Sequence, residues 1–221
     1  MHRRVDLFVF DLAGTVVADD RQVEQAFLAT LRAHDLAVDA AALHARRGWS
    51  KERVFQAILA EQGREAGLAS AMAAWFQREY AATVRAVPLR PTRNALETLQ
   101  ALATAGVQVA FNTGFARSTA NLVLGALGLL HLPSVASDEV AAGRPAPDLI
   151  LRAMQRCGVP DPLRVGVAGD TPADLAAGMA SGARFVVGVG CGTHTLDELR
   201  LHQHTHLGND LGVVPGIALG Q

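Results

Sequence analysis

Residues 5–15 read VDLFVFDLAGT, and this stretch decides the fold. Its first half is a short apolar run rich in Val and Phe, which is typical of a buried β-strand. A polar loop that begins with Asp11 follows the run directly. Three later runs have the same character and predict further strands at residues 107–112, 164–168 and 184–189.

Helical periodicity fills the gaps between these runs. It predicts four helices, at about residues 92–105, 117–127, 147–157 and 172–181. Strands that alternate with helices are joined by crossover connections, and such strands lie parallel to one another. The sequence therefore predicts an α/β protein with a doubly wound parallel sheet as a Rossmann-like core.

The segment from residue 18 to 88 interrupts this alternation and contains no convincing strand. One helical face is shared by Val23, Ala26, Phe27 and Leu31, and another by Val54, Phe55, Ile58 and Leu59. A third helix carries Met72, Trp75, Phe76 and Glu79. Pro88 and Pro91 mark the return to the sheet. We expect a core domain of residues 1–17 and 89–221, and a helical cap domain of residues 18–88. An insertion at this point lies over the carboxyl ends of the strands, where open α/β sheets bind ligands.

The bulk composition narrows the range of partners. The 221 residues carry a net charge of -1 at pH 7, so no overall field favours nucleic acid or an anionic membrane. The two cysteines, Cys157 and Cys191, lie far apart and predict neither a disulfide framework nor a zinc site. Acidic residues interrupt the first apolar run, which argues against a signal peptide, and no stretch is long enough to span a membrane. We expect a soluble, cytoplasmic protein that binds no nucleic acid and no membrane.

Four polar motifs lie just past apolar strands. They are Asp11-Leu-Ala-Gly-Thr15, Asn112-Thr-Gly114, Gly143-Arg-Pro145 followed by Ala146-Pro-Asp148, and Gly169-Asp-Thr-Pro-Ala-Asp174. In a parallel sheet the loops that follow the strands converge on one edge. Residues distant in the sequence are therefore predicted to form one site.

In this order, the four motifs resemble those of the haloacid dehalogenase superfamily, and the likeness covers nearly the whole chain if residues 18–88 are the inserted cap. The resemblance implies that Asp11 attacks phosphorus and forms an aspartyl-phosphate, which splits one hard displacement into two easier ones. It also implies that Asp11, the Ala13 carbonyl and Asp170 hold Mg²⁺, a hard ion suited to oxygen ligands. Asp174 is expected to support this metal site without binding the ion directly.

The same resemblance assigns further roles. Thr113 offers a hydroxyl and Arg144 neutralises charge on the transferring group, so both are predicted to be catalytic. Gly114 is expected to begin a helix whose free N–H groups favour an anion. The residues predicted to bind the substrate are Gly14, Thr15, Gly48, Trp49, Gly114 and Phe115.

Each assignment has a simpler alternative. Asp11 could be a solvated residue at a strand end, Thr113 could cap the following helix, and Arg144 could form an ion pair at the surface. Asp174 lies three residues after Thr171 with a proline between them, which is also the pattern of a helix cap. For Asp170 the sequence offers no local capping partner, which favours metal ligation.

The residue two positions after the nucleophile narrows the function. Most phosphatases of the superfamily carry there a second Asp that protonates the leaving alkoxide, whereas this chain has Ala13. Motif three has Arg144 in place of the usual lysine. Asp-x-Ala-Gly-Thr together with Gly-Arg-Pro resembles the phosphonoacetaldehyde hydrolase (phosphonatase) branch, which cleaves a carbon–phosphorus bond. In that branch a cap lysine forms a Schiff base that stabilises the departing carbanion.

The chain contains a single lysine, Lys51, in the cap. It ends Gly48-Trp-Ser-Lys51, which is similar to the Gly-x-x-Lys turn of the phosphonatase branch. Arginine could not replace it, because a guanidinium stays protonated and forms no Schiff base at neutral pH. We expect a helix N-terminus and neighbouring arginines to lower the pKa of this amine.

Alternatives at this turn stay open. Lys51 could belong to an ordinary solvated helix start or contact the substrate without chemistry, and Trp49 could line a pocket or fill the core of the cap. Three positions depart from the branch: Val54 and Phe115 stand where it has a His and a Tyr, and Arg47 where it has an apolar residue. These departures are compatible with a 2-oxoalkylphosphonate other than phosphonoacetaldehyde.

Histidines near the C-terminus offer a separate hypothesis. His202, His204 and His206 alternate, with His194 upstream, and three imidazoles on one strand face could bind a transition metal. A polar surface strand without a metal explains the same pattern, and we favour it. Cys191, in the loop that follows the last strong strand, is assigned no chemistry.

The leading hypothesis is a Mg²⁺-dependent hydrolase that cleaves the C–P bond of a 2-oxoalkylphosphonate such as phosphonoacetaldehyde through Asp11 and a Schiff base on Lys51. One alternative is a phosphomonoesterase or phosphotransferase that acts on a small phosphorylated metabolite. Another is a catalytically inactive sensor that binds a phosphate ligand. A cap of this kind is compatible with a homodimer, although no residue establishes one.

Overall fold

A computed structural model describes residues 5–220 of the chain. The strands in this range are β1 (Leu7–Asp11), β2 (Gln108–Asn112), β3 (Ser134–Val135), β4 (Val165–Gly169), β5 (Phe185–Val189) and β6 (His206–Gly208). They form a sheet in the order β3-β2-β1-β4-β5-β6, and every neighbouring pair is parallel. The predicted α/β class and doubly wound parallel sheet are confirmed.

The helices surround this sheet and fill the segment after β1. They are α1 (Gln22–Ala33), α2 (Ala40–His44), α3 (Lys51–Glu61), α4 (Leu68–Ala86), α5 (Ala95–Thr104), α6 (Arg117–Ala126), α7 (Asp148–Cys157), α8 (Pro172–Ala180), α9 (Leu196–Arg200) and α10 (Val214–Leu219). The four predicted strands and four predicted core helices are present, with ends shifted by at most three residues. Between residues 5 and 220, none of the helices has the length and apolarity that a bilayer crossing requires.

The central strand β1 is buried on both faces of the sheet. Phe8 and Phe10 point into one apolar cluster, where their rings stack with centroids 5.1 Å apart. Leu7 and Val9 point into a second cluster on the other face. Gly166 of β4 makes room for this packing, because a Cβ atom there would lie 2.3 Å from the Phe8 ring. Burial on both faces explains why this strand reads as a continuous apolar run.

Four helices, α1 to α4, occupy the segment predicted as the cap, and α1 and α3 pack against α4. The Phe27 ring contacts Phe55 and Phe76 at centroid distances of 5.4 and 4.7 Å. The predicted third helix is present as α4: Met72 and Phe76 are buried in it, Trp75 is half-buried against His34, and Tyr80 is also buried. The division into two domains stays a prediction, with its boundaries at residues 17/18 and 88/89.

The two segments that join these helices to the core are paired with each other. The Ala18 amide donates to the Arg90 carbonyl, and the Thr92 amide donates to the Val16 carbonyl, each at 2.9 Å. Val17 and Pro91 form the antiparallel bridge between these hydrogen bonds. The entry and exit of the cap are therefore one short ribbon that lies beside the end of β1.

Candidate functional site

The carboxyl ends of the strands and the facing surface of the cap enclose a narrow cavity, called here the strand-end cavity. Its core wall includes Asp11, Ala13, Thr113 and Arg144, and its cap wall includes Arg47 and Lys51. The cavity volume is about 30 Å³, which is close to the share of one molecule in liquid water. The predicted convergence of the motifs on one edge of the sheet is therefore observed.

Three carboxylates meet at the core side of this cavity. One oxygen from each of Asp11, Asp170 and Asp174 lies within 4.8 Å of the others, and all three side chains are buried. Asp11 is 5 % exposed, so the alternative of a solvated strand-end residue does not hold. Three buried anions at this separation repel one another unless cations compensate them.

Arg144 supplies one of the compensating charges. Its Nη2 donates to Asp11 Oδ1 at 2.7 Å and to the Asn112 carbonyl at 2.9 Å, and its Nη1 donates to Asp174 Oδ1 at 2.7 Å. The side chain is 2 % exposed, which rules out the surface ion pair considered from the sequence. Arg144 thus bridges the nucleophile candidate to the fourth motif, and its contact with a transferring group stays a prediction.

Asp170 is held by groups from two other loops. Its Oδ1 accepts the Thr15 hydroxyl at 3.0 Å, and its Oδ2 accepts the Thr193 amide at 2.7 Å. A Cβ atom at Gly14 or Gly192 would lie 2.2 Å from Asp170 Oδ2, so these glycines form a cradle with no room for side chains. Because a carboxylate offers about four lone-pair directions, Asp170 keeps acceptor capacity for another ligand.

Asp174 caps the start of α8 and also pairs with Arg144 at the aspartate cluster. Its Oδ2 accepts the Thr171 amide at 3.1 Å and the Thr171 hydroxyl at 2.5 Å, which completes a capping box at the start of α8. Its Oδ1 accepts Arg144. The predicted helix cap is confirmed. Because Oδ2 accepts two hydrogen bonds and Oδ1 pairs with a guanidinium, Asp174 is suited to orient Arg144, and its support of a metal site stays a prediction.

The electrostatics of this cluster fit a divalent cation. Burial raises the pKa of Asp11 to about 6, against the opposing effect of Arg144. Burial and then the charge of Asp11 raise the pKa of Asp170 to about 6. Three carboxylates and one guanidinium leave two buried negative charges when all are ionised, and every candidate ligand atom is a hard oxygen. The residues present can therefore hold a metal ion.

Lys51 is the first residue of α3, and its amine lies in an aromatic cage. The Nζ atom is 4.8 Å from the centre of the Phe115 ring and 5.5 Å from the centres of the Phe27 and Phe76 rings. In the described part of the chain the amine has no carboxylate partner. Burial, followed by the charge of Arg47, lowers the pKa of Lys51 to about 8. The ring contacts argue against a fully solvated side chain, whereas Ser50 does cap α3 as predicted.

The three arginines near Lys51 have different surroundings. Arg46 pairs with Glu61, and Arg53 stacks on Trp49 with its guanidinium carbon 4.2 Å from the ring centre. Arg53 also donates from Nη1 to the Arg144 carbonyl at 2.9 Å, which ties the cap to motif three. Only Arg47 of the three is on the wall of the strand-end cavity.

Two glycines bring the cap turn against the core. At Gly48, where φ is +85°, a Cβ atom would lie 2.4 Å from Thr171 Oγ1. At Gly114 a Cβ atom would lie 2.6 Å from the Trp49 carbonyl oxygen. Both glycines line the cavity, but each is also required for the contact between the two walls. Side chains at these positions would hold the cap away from the sheet.

The loop after β2 differs from its prediction. Helix α6 starts at Arg117 with Ala116 at its N-cap, so the expectation that Gly114 begins the helix is wrong. Thr113 does not cap α6 either: its hydroxyl accepts the Phe115 amide at 3.2 Å and tightens the loop. The tight loop places both Thr113 and Phe115 on the cavity wall.

Other predicted substrate residues lie beside the cavity. The Thr15 hydroxyl is engaged with Asp170, and Gly14 forms the cradle described above. Trp49 packs partly against the apolar core and under Arg53. Their part in substrate binding stays a prediction.

Sequence reasoning did not select several cavity residues, namely Asp19, Val23, Arg47, Thr171 and Thr193. Thr193 follows β5, so extending the strand-end argument to that strand would have found it. Asp19 precedes α1 and Arg47 follows it, and their separation in the sequence gives no signal that the two side chains form an ion pair. Arg47 was noted as a departure from a family pattern and as one of the neighbouring arginines expected to lower the pKa of Lys51, but not as a residue of the site.

The C-terminal histidines do not form the metal site considered from the sequence. Only His206 lies in a strand, β6, while His202 and His204 precede it. Among residues 5–220 the aspartate triad is the one grouping of possible metal ligands found. His194 instead packs its ring 4.2 Å from that of His44 in the cap. Cys157 and Cys191 are free, as predicted.

Comparison with known proteins identifies the family. A family model for haloacid dehalogenase-like hydrolases matches residues 5–182. A probable phosphatase, IndB, of Dickeya dadantii (strain 3937) is 32 % identical over 208 residues, which cover 88 % of this chain and 85 % of that protein. A phosphonoacetaldehyde hydrolase of Latilactobacillus sakei subsp. sakei (strain 23K) is 35 % identical over 83 residues, or 36 % of this chain and 31 % of that protein.

The fold is shared with solved structures as well. A hydrolase from Pseudomonas syringae superposes with a TM-score of 0.86 at 24 % identity, over 96 % of this chain and 97 % of that one. A likeness at this identity supports the fold and not the substrate. Since the family model spans most of the chain, and the IndB relative aligns along most of both sequences, this protein belongs to the haloacid dehalogenase-like hydrolases.

Proposed function

We propose that this hydrolase cleaves the C–P bond of a 2-oxoalkylphosphonate, with Asp11 as nucleophile and Lys51 as the amine that forms a Schiff base. The observation that carries the proposal is the position of the one lysine of the chain. Its amine is enclosed by three phenylalanine rings, and it shares a cavity of about 30 Å³ with Asp11. A lysine desolvated in an apolar pocket is a typical amine nucleophile.

The first step uses the free amine of Lys51. The amine attacks the substrate carbonyl carbon, the carbonyl oxygen leaves as water, and a protonated imine remains on Nζ. With a pKa of about 8, about a tenth of Lys51 is the free amine at pH 7, far more than for a lysine with the ordinary value of 10.5. The aromatic cage accommodates the cationic imine, because ring faces attract cations.

The second step uses Asp11. Its carboxylate attacks phosphorus, the C–P electron pair becomes the C=C bond of an enamine, and the imine nitrogen loses its positive charge. Water then hydrolyses the aspartyl-phosphate to phosphate. Protonation of the enamine carbon and hydrolysis of the imine release a methyl ketone or aldehyde and restore Lys51. The leaving atom is carbon, so the reaction does not need the acid that Ala13 replaces.

Mg²⁺ is the cation that we propose for the aspartate cluster, with Asp11, the Ala13 carbonyl and Asp170 as its protein ligands. When bound, it supplies a positive charge that lets an anionic phosphonate approach an anionic nucleophile. Arg144 keeps Asp11 Oδ1 oriented, and Asp174 fixes Arg144. The volume of the cavity excludes a substrate while the walls are together, so substrate entry requires the cap to move away from the core.

A second candidate is supported by the likeness to IndB, which is described as a probable phosphatase and aligns along most of the chain. In that case the protein hydrolyses a small phosphomonoester with Asp11 and the same cation. Water or a cap group then protonates the leaving oxygen, since position 13 is an alanine. Lys51 would contact the substrate without a covalent bond.

Borohydride trapping separates these candidates. The protein is incubated with phosphonoacetaldehyde and sodium borohydride, and the adduct is located by peptide mass spectrometry. We expect a reduced adduct on Lys51, phosphate release from the untreated reaction, and the loss of both in Lys51→Arg. A matched control adds an exposed lysine of the cap in the same background, Lys51→Arg/Arg64→Lys, which should give no adduct because its amine is solvated.

Different results favour the other functions. Turnover of phosphomonoesters that is unchanged in Lys51→Arg, together with no adduct, would support the phosphatase. Binding of phosphate without turnover of any phosphonate or phosphate ester would support the sensor. Either result would exclude the C–P bond as the target of this site.

A further inference from the structure

The arginine that departs from the family pattern lies in the strand-end cavity. We propose that Arg47 recognises a carboxylate on the substrate, so that the substrate class is a 2-oxo-3-phosphono carboxylic acid and not phosphonoacetaldehyde. This inference rests on the proposed function, because it places the carboxylate on the carbonyl carbon that Lys51 attacks. The reaction then converts the phosphono acid and water into a 2-oxo acid and phosphate.

The hydrogen bonds of Arg47 leave part of its guanidinium unused. Its Nη1 donates to Asp19 Oδ2 at 3.1 Å, and its Nη2 lies 3.7 Å from Glu24 Oε2. Its Nε is buried and has no hydrogen-bond partner. A buried donor without a partner is costly and rare in folded proteins, so the Nε of Arg47 is available to an anionic ligand in this cavity.

The other two cations that line the cavity, Arg144 and Lys51, make different contacts from those of Arg47. Arg144 is fully engaged with Asp11, Asp174 and Asn112. The amine of Lys51 is enclosed by rings that offer no hydrogen bond. Because the proposed function assigns Lys51 to the carbonyl carbon, Arg47 is the remaining cation on this wall, among the described residues, that has a donor to spare for a second anionic group of the ligand.

The positions assigned to Asp11 and Lys51 constrain where that group lies. Phosphorus must face Asp11, and the carbonyl carbon must reach Lys51. The remaining substituent on that carbon then points along the cap wall, where Arg47 precedes Lys51 by one tight turn at Gly48. A hydrogen atom, as in an aldehyde, would leave the Nε of Arg47 unpaired.

A carboxylate suits this position better than a second phosphoryl group. It is planar, it matches the edge of a guanidinium with two parallel hydrogen bonds, and it carries a single charge. Asp19 and Glu24 face Arg47, Glu24 also pairs with Arg21, and Lys51 lies on the same wall. These three cations and two acids leave one positive charge, which matches a singly charged carboxylate better than a bulky dianion.

A matched pair of unreactive ligands tests this recognition without imine chemistry. 3-Phosphonopropionate and ethylphosphonate share a phosphonate on a two-carbon chain and differ in the carboxylate. Calorimetry on the Mg²⁺-loaded protein should give a dissociation constant at least about tenfold lower for 3-phosphonopropionate, as expected of charge-assisted hydrogen bonds. The ratio of the two constants should fall toward one in Arg47→Met.

Two further variants test whether a lost preference in Arg47→Met comes from the missing guanidinium or from a general loss of structure. Arg47→Lys keeps the positive charge beside Asp19 but loses the planar fork, and it should lose most of the preference. Arg46→Met removes the neighbouring arginine, which lies outside the cavity and pairs with Glu61, and it should keep the wild-type ratio. Equal binding of both ligands by the wild-type protein would overturn the proposal, and so would an unchanged ratio in folded Arg47→Met.

The experiments distinguish a failure of the proposed Schiff-base function from a failure of the proposed carboxylate recognition. If phosphonoacetaldehyde and 3-phosphonopyruvate both leave Lys51 unmodified under borohydride, the Schiff base is excluded, yet a preference for 3-phosphonopropionate that depends on Arg47 still establishes carboxylate recognition. If Lys51 is trapped by both substrates with equal efficiency and no carboxylate preference exists, the Schiff base stands and the role of Arg47 is excluded.

Discussion

Arg144 and Asp11 form a buried ion pair at 2.7 Å, directly beneath the amine-bearing wall of the cap. The pair joins the third motif to the first, although 133 positions separate the two residues. Its guanidinium opposes the rise in the pKa of Asp11 that burial causes. In the proposed reaction the carboxylate that attacks phosphorus has to be ionised, and Arg144 favours the ionised form of Asp11.

Removal of this guanidinium should lower both the free energy of unfolding and the rate of turnover. In Arg144→Met, Asp11 and Asp174 lose their buried partner, and we expect the free energy of unfolding to fall by about 3–5 kcal/mol. Turnover should fall as well, because Asp11 is no longer held ionised. Urea unfolding and a phosphate-release assay measure the two effects. Arg156→Met, which breaks a half-exposed pair with Glu139, is the control and should change stability by less than about 1 kcal/mol.

The aspartate cluster predicts a pH-dependent stabilisation by Mg²⁺. The pKa values of Asp11 and Asp170, about 6, lie above the ordinary value of 3.8. Protonation therefore stabilises the metal-free fold at low pH, and this stabilisation is lost as the pH rises through 6. Mg²⁺ should restore stability at pH 7.5, by about 2.7 kcal/mol at a hundredfold excess over Kd, and should do little at pH 5, where protons compete.

Thermal unfolding with and without Mg²⁺ at the two pH values measures this effect. Asp170→Asn should abolish the shift in Tm at pH 7.5. Asp197→Asn alters a highly exposed aspartate and should keep it. A Tm that responds to Mg²⁺ equally at both pH values, or equally in both variants, contradicts the assignment of the ion to this cluster.

The titration of Lys51 should control the rate of imine formation. Because only the free amine attacks, the rate of borohydride trapping should rise about tenfold per pH unit below 8 and level off above it. The positive charge of Arg47 is the second cause of the lowered pKa, so the inflection should move to higher pH in Arg47→Met. An inflection near 10.5, the ordinary value for lysine, would mean that the amine is solvated.

Contact between the cap turn and the core should be required for turnover. Gly48→Ala places a Cβ atom 2.4 Å from Thr171 Oγ1 and also strains a positive φ. Gly63→Ala strains a positive φ in the same cap but meets nothing within 4 Å. We expect both to lose about 1–2 kcal/mol of stability, and only Gly48→Ala to lose most of its kcat/KM. Equal kinetics in the two variants would show that this contact is dispensable.

The positions of the core elements could be predicted because they follow from local patterns. The apolar runs that gave β1, β2, β4 and β5 are buried on both sides, and the loops after them must lie at one edge. Asp11, Asp170 and Arg144 were found by that argument and by family resemblance. The strands β3 and β6 have two and three residues, too few for a periodic signal.

The contacts between cap and core could not be predicted in the same way. Sequence periodicity identified the apolar faces of α1, α3 and α4, but not which rings would surround Lys51. The cage draws Phe27 and Phe76 from two helices and Phe115 from a core loop. Its geometry depends on how the helices cross and how the cap approaches the sheet, which no local pattern encodes.

The paired ribbon between Val16 and Thr92 limits the directions in which the cap can move relative to the core. Two hydrogen bonds and a bridge fasten the outgoing chain to the returning chain, so neither can slide or twist without the other. Two independent linkers would let the cap move in every direction relative to the core, whereas a hydrogen-bonded pair restricts it to rotation about a hinge. In the proposed mechanism, motion of the cap about this ribbon would return Arg47 and Lys51 to the same place beside Asp11, so that the alignment of the reacting groups would follow from the fold of the ribbon.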